Sequence, residues 1–138
     1  MFISRRRIRV DWGHCDPAGI IFYPNYFRWF DQCTSALFES AGLPLPQLYR
    51  DYGLKGFPLL DTRATFSASA TFGDDLDAES SVVEWTAKTL KVQHRFLRGA
   101  TPAVEGWELR ICVIPHPDDP QRIKSAAIPD EVRRRLAG

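Results

Sequence analysis

Apolar and charged residues alternate weakly in the segment RRRIRVDW, and from Pro24 onward the repeat lengthens from two residues to three and four. The alternation and its β-branched residues predict a first strand, Arg5 to Asp11, feeding the turn GHCDPAG. Tyr26, Phe30, Cys33, Leu37 and Ala41 then fall on one stripe of a helix. Pro24 suits the first turn of that helix, where its missing N–H would have had no intrahelical partner. Gly42 and Pro44 mark its end. Phe27, Trp29 and Phe38 add apolar groups elsewhere on the same helix, which predicts a central element buried on most sides.

A short second helix is expected between Pro46 and Tyr52, ending at Gly53. Leu59 to Phe72, Leu76 to Ala87, Leu90 to Arg98 and Ala103 to Ile114 read as strands, being rich in β-branched and aromatic residues with partial alternation. Their separators GDD, AKT and GATP are short, as antiparallel connections require. HPDDPQ reads as a polar turn, and PDEVRRRLAG, with acids ahead of arginines, as a short C-terminal helix. There is no internal repeat or linker. The pattern predicts an α+β fold in one domain, residues 1–138: a five-stranded antiparallel sheet around one long helix, with a single core.

Composition narrows the function classes. A formal net charge of +1 gives no reason to expect nucleic acid or an anionic membrane as partner. Three cysteines at unrelated spacings do not form a disulfide framework and suit a reducing cytoplasm. MFISRRRIRV lacks the apolar run of a secretory signal, and no apolar stretch approaches the roughly 20 residues of a membrane-spanning helix, so a soluble protein is expected.

The candidate chemistry centres on Asp16, placed between a glycine-bearing turn and an aromatic helix start. Taken alone, an aspartate before proline is more often a backbone partner within the turn. A carboxylate at a helix mouth also has free backbone N–H groups beside it, and Tyr23 is the natural donor because Pro24 has no N–H. That pairing suits attack on an activated carbonyl. Asn25 reads as a cap or local backbone partner. Adjacent His14, Cys15 and Asp16 do not converge on one metal ion, and Cys33, on the buried stripe, reads as an inert core residue rather than the nucleophile of a pair with His94.

DPAGIIFYPNYFRWFD, Asp16 to Asp31, resembles the signature of the 4-hydroxybenzoyl-CoA thioesterase family of the hotdog-fold superfamily. SAGLP, GFP, EW at Glu84–Trp85 and QH at Gln93–His94 extend the resemblance over most of the chain. It implies a hotdog fold, a homodimer or homotetramer with active sites at the dimer interface, and hydrolysis of an acyl-CoA with no cofactor beyond the coenzyme A of the substrate. It implies Asp16 as nucleophile or general base, with the Tyr23 N–H polarising the carbonyl. The thiolate leaving group needs no dedicated acid.

Asp31 matches an acid near the 4-hydroxyl of a benzoyl group; the plain alternative is a solvated helix acid paired with Arg28 or Arg5. Lys88 matches a nucleotide-contacting base, but Thr86 and Ala87 replace arginines, with Lys91, Arg95 or Arg133 to Arg135 as possible substitutes. Phe57 is bulkier than its counterpart and is expected to reshape the pocket. The acyl group, and coenzyme A against a carrier protein, stay open. A non-catalytic acyl-CoA-binding module and a hotdog dehydratase are the rival readings.

Overall fold

A computed structural model describes the whole chain, Met1–Gly138. The main sheet runs β1 (Ser4–Arg9), β3 (Asp75–Trp85), β4 (Thr89–Arg98), β5 (Thr101–Ile111), β2 (Leu59–Phe66), with every neighbouring pair antiparallel. The long helix α1 (Pro24–Ser40) packs on one face of it, with α2 (Leu45–Tyr52) and α3 (Asp130–Ala137) at the C-terminal end of α1. This is the expected α+β architecture.

The helix stripe behaves as its spacing requires: Tyr26, Phe30, Cys33 and Leu37 are all buried. The helix is not buried on most sides, however. Arg28, Asp31, Gln32, Ser35 and Glu39 are exposed, because a single sheet covers one broad face and leaves the opposite one to solvent. At its end, Gly42 takes a left-handed φ of 79°, and the Arg135 guanidinium donates to Ala41 O at 3.2 Å and Gly42 O at 3.1 Å. Part of α3 thus closes the terminus of α1.

Three segments depart from the expected strands. The strand from Leu59 stops at Phe66: Ser67 and Ala68 N–H both converge on Ala103 O of β5, at 2.8 and 3.2 Å, and the chain then turns to the loop ahead of α1, where Ala70 O accepts the Ile21 N–H at 3.0 Å and Ile20 bridges Thr71. The last long strand ends at Ile111. Val113–Pro115 (β6) then pairs with Ile123–Ser125 (β7) around the polar turn, a hairpin not anticipated from the sequence. The arginines of β1 face solvent on alternate positions, where Arg5, Arg7 and Arg9 pair with Glu79, Asp77 and Asp75 at 3.4, 2.9 and 3.1 Å. Charges of this kind blunt an exposed sheet edge.

The interior is two apolar clusters rather than the single expected core. One gathers Trp29, Phe30, Leu76 and Phe96 around the first half of α1; the other gathers Leu37, Phe38, Leu90 and Val132 around the second. Between them four elements each contribute a polar residue to the same level: Thr34 from α1, Ser80 from β3, His94 from β4 and Glu108 from β5, all buried.

Candidate active site

Asp16 opens a tight turn between Cys15 and Ile21, which bridge each other in antiparallel fashion. Gly19 N–H donates to Asp16 O at 2.9 Å and Asp16 N–H to Ile20 O at 2.9 Å. Gly19 closes the turn with φ 80°, a conformation that glycine adopts without strain. One carboxylate oxygen of Asp16 accepts the Ala18 N–H at 2.8 Å, and no other protein donor reaches this half-buried side chain. The turn role expected of an aspartate before proline is therefore real, and it leaves the second oxygen unengaged.

The start of α1 is lashed to this turn. Phe22 N–H donates to His14 O at 2.8 Å, and the Asn25 amide donates to the same carbonyl at 2.9 Å, so Asn25 is the local backbone partner its position suggested. No backbone carbonyl accepts the Tyr23 N–H, and Pro24 has none to give. The positive end of a 17-residue helix therefore presents a free donor, and the turn tied to it carries a free carboxylate oxygen.

A cleft of about 260 Å³ opens at Tyr23, walled by Ile20, Tyr23 and Tyr26 on one side and by Phe66, Ala68 and Ala70 on the other; Asp16 is not among the residues that line it. The end of β2 and the four residues after it build the second wall. The lining is mostly apolar. Burial pushes the Tyr26 phenol up to about 12, against the opposing pull of Arg98.

Asp31 and Phe57 come together elsewhere, in a second pocket of about 210 Å³ with Phe38, Tyr49 and Arg110. Eight residues of helix separate Asp31 from Tyr23, about 12 Å along the axis. Asp31 pairs with Arg110 at 2.7 Å and not with Arg28 or Arg5; Arg5 is taken by Glu79. Phe57 is buried, its ring tilted against Phe38 at 5.3 Å, and its carbonyl accepts from Arg110 at 3.0 Å. Behind Arg110 runs the polar layer of the interior. Arg110 donates to Glu108 Oε2 at 2.6 Å, and Glu108 Oε1 faces His94 Nε2 at 3.1 Å. Thr34 donates to the same Glu108 oxygen, and Ser80 Oγ lies 2.7 Å from His94 Nδ1.

Burial alone would raise the Glu108 carboxyl, but the hydrogen bonds from His94 and Arg110, with the Arg110 charge, outweigh it and hold it down at about 2. Burial likewise opposes the charge on Arg110, whose pKa Glu108 and then Asp31 nevertheless raise. This network was missed in reading the sequence, although a signal was present: Ser80, His94 and Glu108 each interrupt the apolar positions of a strand at period two.

Lys88 lies apart from both pockets, exposed on the β3–β4 turn, with its Nζ 3.3 Å from Ser125 Oγ. Among the other cations considered, Arg133 joins this turn, donating to Thr86 O and lying over the Trp85 ring at 5.3 Å. Lys91 is held by Glu84 at 3.5 Å, and Arg134 and Arg135 both pair with Glu131.

Known proteins share this fold. Residues 10–136 match the model of the thioesterase-like superfamily. The chain is 31% identical over 128 residues to 4-hydroxybenzoyl-CoA thioesterase of Pseudomonas sp. (strain CBS-3), covering 88% of each. A mutant 4-hydroxybenzoyl CoA thioesterase solved with 4-hydroxybenzoyl CoA superposes with a TM-score of 0.89 at 26% identity, over 99% of both chains. The BH1999 gentisyl-coenzyme A thioesterase superposes with a TM-score of 0.82 at 27% identity, over 98% of this chain and 100% of that one. The chain belongs to the thioesterase-like superfamily, in its hotdog-fold 4-hydroxybenzoyl-CoA thioesterase branch, and is a thioesterase.

Proposed function

We propose that the protein hydrolyses an aryl-CoA or short acyl-CoA thioester to the free acid and coenzyme A in the cleft at the mouth of α1. Two observations support this: a carboxylate oxygen of Asp16 that no protein donor engages, in a turn tied to the start of α1, and a Tyr23 N–H that no backbone carbonyl accepts, in a residue that lines an apolar cleft. A thioester carbonyl with its oxygen toward Tyr23 gains a donor where negative charge develops. Asp16 then acts in one of two ways. As a base it takes a proton from water while the water oxygen bonds to the carbonyl carbon and the C–S bond breaks, its electron pair leaving with the thiolate. As a nucleophile it forms the C–O bond itself while the C–S bond breaks and its electron pair leaves with the thiolate, and water then cleaves the resulting anhydride to the free acid and the Asp16 carboxylate.

The cleft is large enough for a single ring or a short chain, and similarity to enzymes named for hydroxyaryl-CoA substrates favours the ring. Lys88, with Arg133 beside it, is the proposed contact for the coenzyme A phosphates. Asp31 and Phe57 line a separate pocket, so their proposed substrate contacts arise only across a joined pair of chains. The free edge of β2 supports such pairing: its outer side has no neighbouring strand, and Leu59, Leu60 and Phe66 are exposed along it.

The test is release of coenzyme A thiol from benzoyl-, hydroxybenzoyl-, phenylacetyl- and straight-chain acyl-CoAs by wild type and Asp16→Asn. The variant is expected to lose about a hundredfold or more, the scale of a lost acid–base or nucleophilic group. Binding without hydrolysis by the wild type would instead make the chain an acyl-CoA-binding module.

A further inference from the structure

We infer that Tyr26 is a specificity-determining residue whose hydroxyl hydrogen-bonds a ring oxygen of the acyl group, selecting hydroxylated aryl thioesters over unsubstituted ones. The inference rests on the thioesterase reading of the cleft and assigns the polar contact inside it.

Tyr26 is 3% exposed, packed against Trp29, Phe66 and Phe96 at centroid distances of 5.4, 5.5 and 6.1 Å. A phenol at that depth is normally paired. The Tyr26 hydroxyl makes no hydrogen bond to the protein, yet every side-chain nitrogen or oxygen sealed from solvent has a partner. The hydroxyl must therefore open onto accessible space, and the cleft is the space this residue lines.

The rest of the cleft is suited to receive a ring. Ile20, Phe66, Ala68 and Ala70 supply apolar walls, so an oxygen carried in by the substrate meets few polar partners other than Tyr26 and the hydroxyls of Ser67 and Ser69. Ser69 is fixed from outside by Arg98, which donates to its carbonyl. A neutral phenol can both donate to and accept from a ring hydroxyl, and burial keeps Tyr26 neutral well above physiological pH. Asp31, the other group proposed to meet the substrate, lies in the second pocket of the same chain, bound to Arg110, so it would meet this ring only from a second chain, an approach that Asp31→Asn tests.

The experiment compares kcat/KM for benzoyl-CoA and for 2-, 3- and 4-hydroxybenzoyl-CoA in wild type, Tyr26→Phe and Asp31→Asn, with benzoyl-CoA as the internal reference. Wild type should prefer at least one hydroxylated isomer, and Tyr26→Phe should reduce that preference roughly tenfold, the worth of one neutral hydrogen bond. Because the hydroxyl has no protein partner, the variant should melt no lower than wild type, which separates a substrate contact from a structural role. Three results overturn the inference: no hydroxyaryl preference in wild type, a preference that survives in Tyr26→Phe, or a preference that Asp31→Asn alone removes. If wild type releases thiol from no acyl-CoA, the thioesterase reading of the cleft falls as well, an outcome distinct from those three.

Discussion

Glu108 Oε1 lies 3.1 Å from His94 Nε2 inside the helix–sheet interior, both residues almost wholly buried. One tautomer of a neutral imidazole satisfies every neighbour. Nε2–H donates to Glu108, while Nδ1 accepts the Ser80 hydroxyl 2.7 Å away. Phe30 stacks on the ring at 4.7 Å and covers it. The negative charge of Glu108 is matched by Arg110, so the layer is a compensated charge pair extended by neutral hydrogen bonds.

Acid should therefore unfold the protein through Glu108. Its folded pKa of about 2 lies below the ordinary 4.5. A carboxyl depressed in this way contributes stability fully present above pH 4.5 and lost as pH falls from there through 2. The contribution is about 3 kcal/mol. Urea unfolding at pH 5 and pH 3 should show a steep loss in wild type and a shallower one in Glu108→Gln. Equal losses would contradict the assignment, as would a Glu108 carboxyl NMR signal titrating near pH 4.5.

Arg110 and Asp31 form one ion pair but should not matter equally to folding. Arg110→Met removes the donors to Glu108 and to Phe57 O and leaves a buried carboxylate uncompensated, at a cost of about 3–5 kcal/mol. Asp31 is mostly exposed, and Asp31→Asn should cost no more than about 0.5 kcal/mol. Denaturant midpoints of the two variants decide the matter; comparable losses would mean that Arg110 is held by Asp31 rather than by the interior.

Much of the fold was legible because its elements announce themselves locally. The stripe from Tyr26 to Leu37 has a single repeat, and Pro24 and Gly42 bracket it, so α1 and its buried face followed directly. The strands after Leu59 were recognisable by composition, but where they stop was not. The strands end near Phe66 and Ile111 because residues a little further on find other partners, Ala70–Thr71 with Ile20–Ile21 and Val113 with Gly56, contacts 49 to 57 residues distant in sequence. At the site, the Asp16 turn and the free Tyr23 N–H are local consequences of Pro17, Gly19 and Pro24, and were read in advance. Tyr26 was assigned to the core stripe, correctly as to burial; that its hydroxyl lacks a partner depends on what β2 and residues 67–70 place around it. Likewise Arg110 could not be matched to Asp31 by local spacing, since the two are 79 positions apart.

Gly106 should tolerate no side chain. It is paired to His94 and Ala64 across β5, and a Cβ there would lie 2.1 Å from Arg63 O and 2.7 Å from the Phe30 ring. The ring is confined by its stacking on His94, and the carbonyl is backbone, so neither can yield cheaply. Gly106→Ala is expected to lose about 1–3 kcal/mol, the range for overpacking in a filled interior, read as a lower thermal midpoint. Stability equal to wild type would show that Phe30 has room to move.

The three cysteines should separate cleanly by reactivity. Cys33 and Cys112 are 1% and 0% exposed. Burial pushes the Cys33 thiol up to about 11, with Arg6 pulling only weakly against it, and burial raises Cys112 in the same direction. Thiolate is the reactive form, so both should be silent toward a disulfide reagent in the native protein at neutral pH. Cys15 is half-buried in the loop before Asp16, its Sγ 3.9 Å from Asp11 O, and is the accessible thiol. Titration with an aromatic disulfide should release one equivalent from the native chain and three after denaturation, with the label found at Cys15 by peptide mass. A bulky label at that position stands next to Asp16, so it should also abolish hydrolysis in the proposed cleft. Native release of two or three equivalents would show that the layer around Cys33 or Cys112 opens on the timescale of the assay, and that the interior is less rigid than its packing implies.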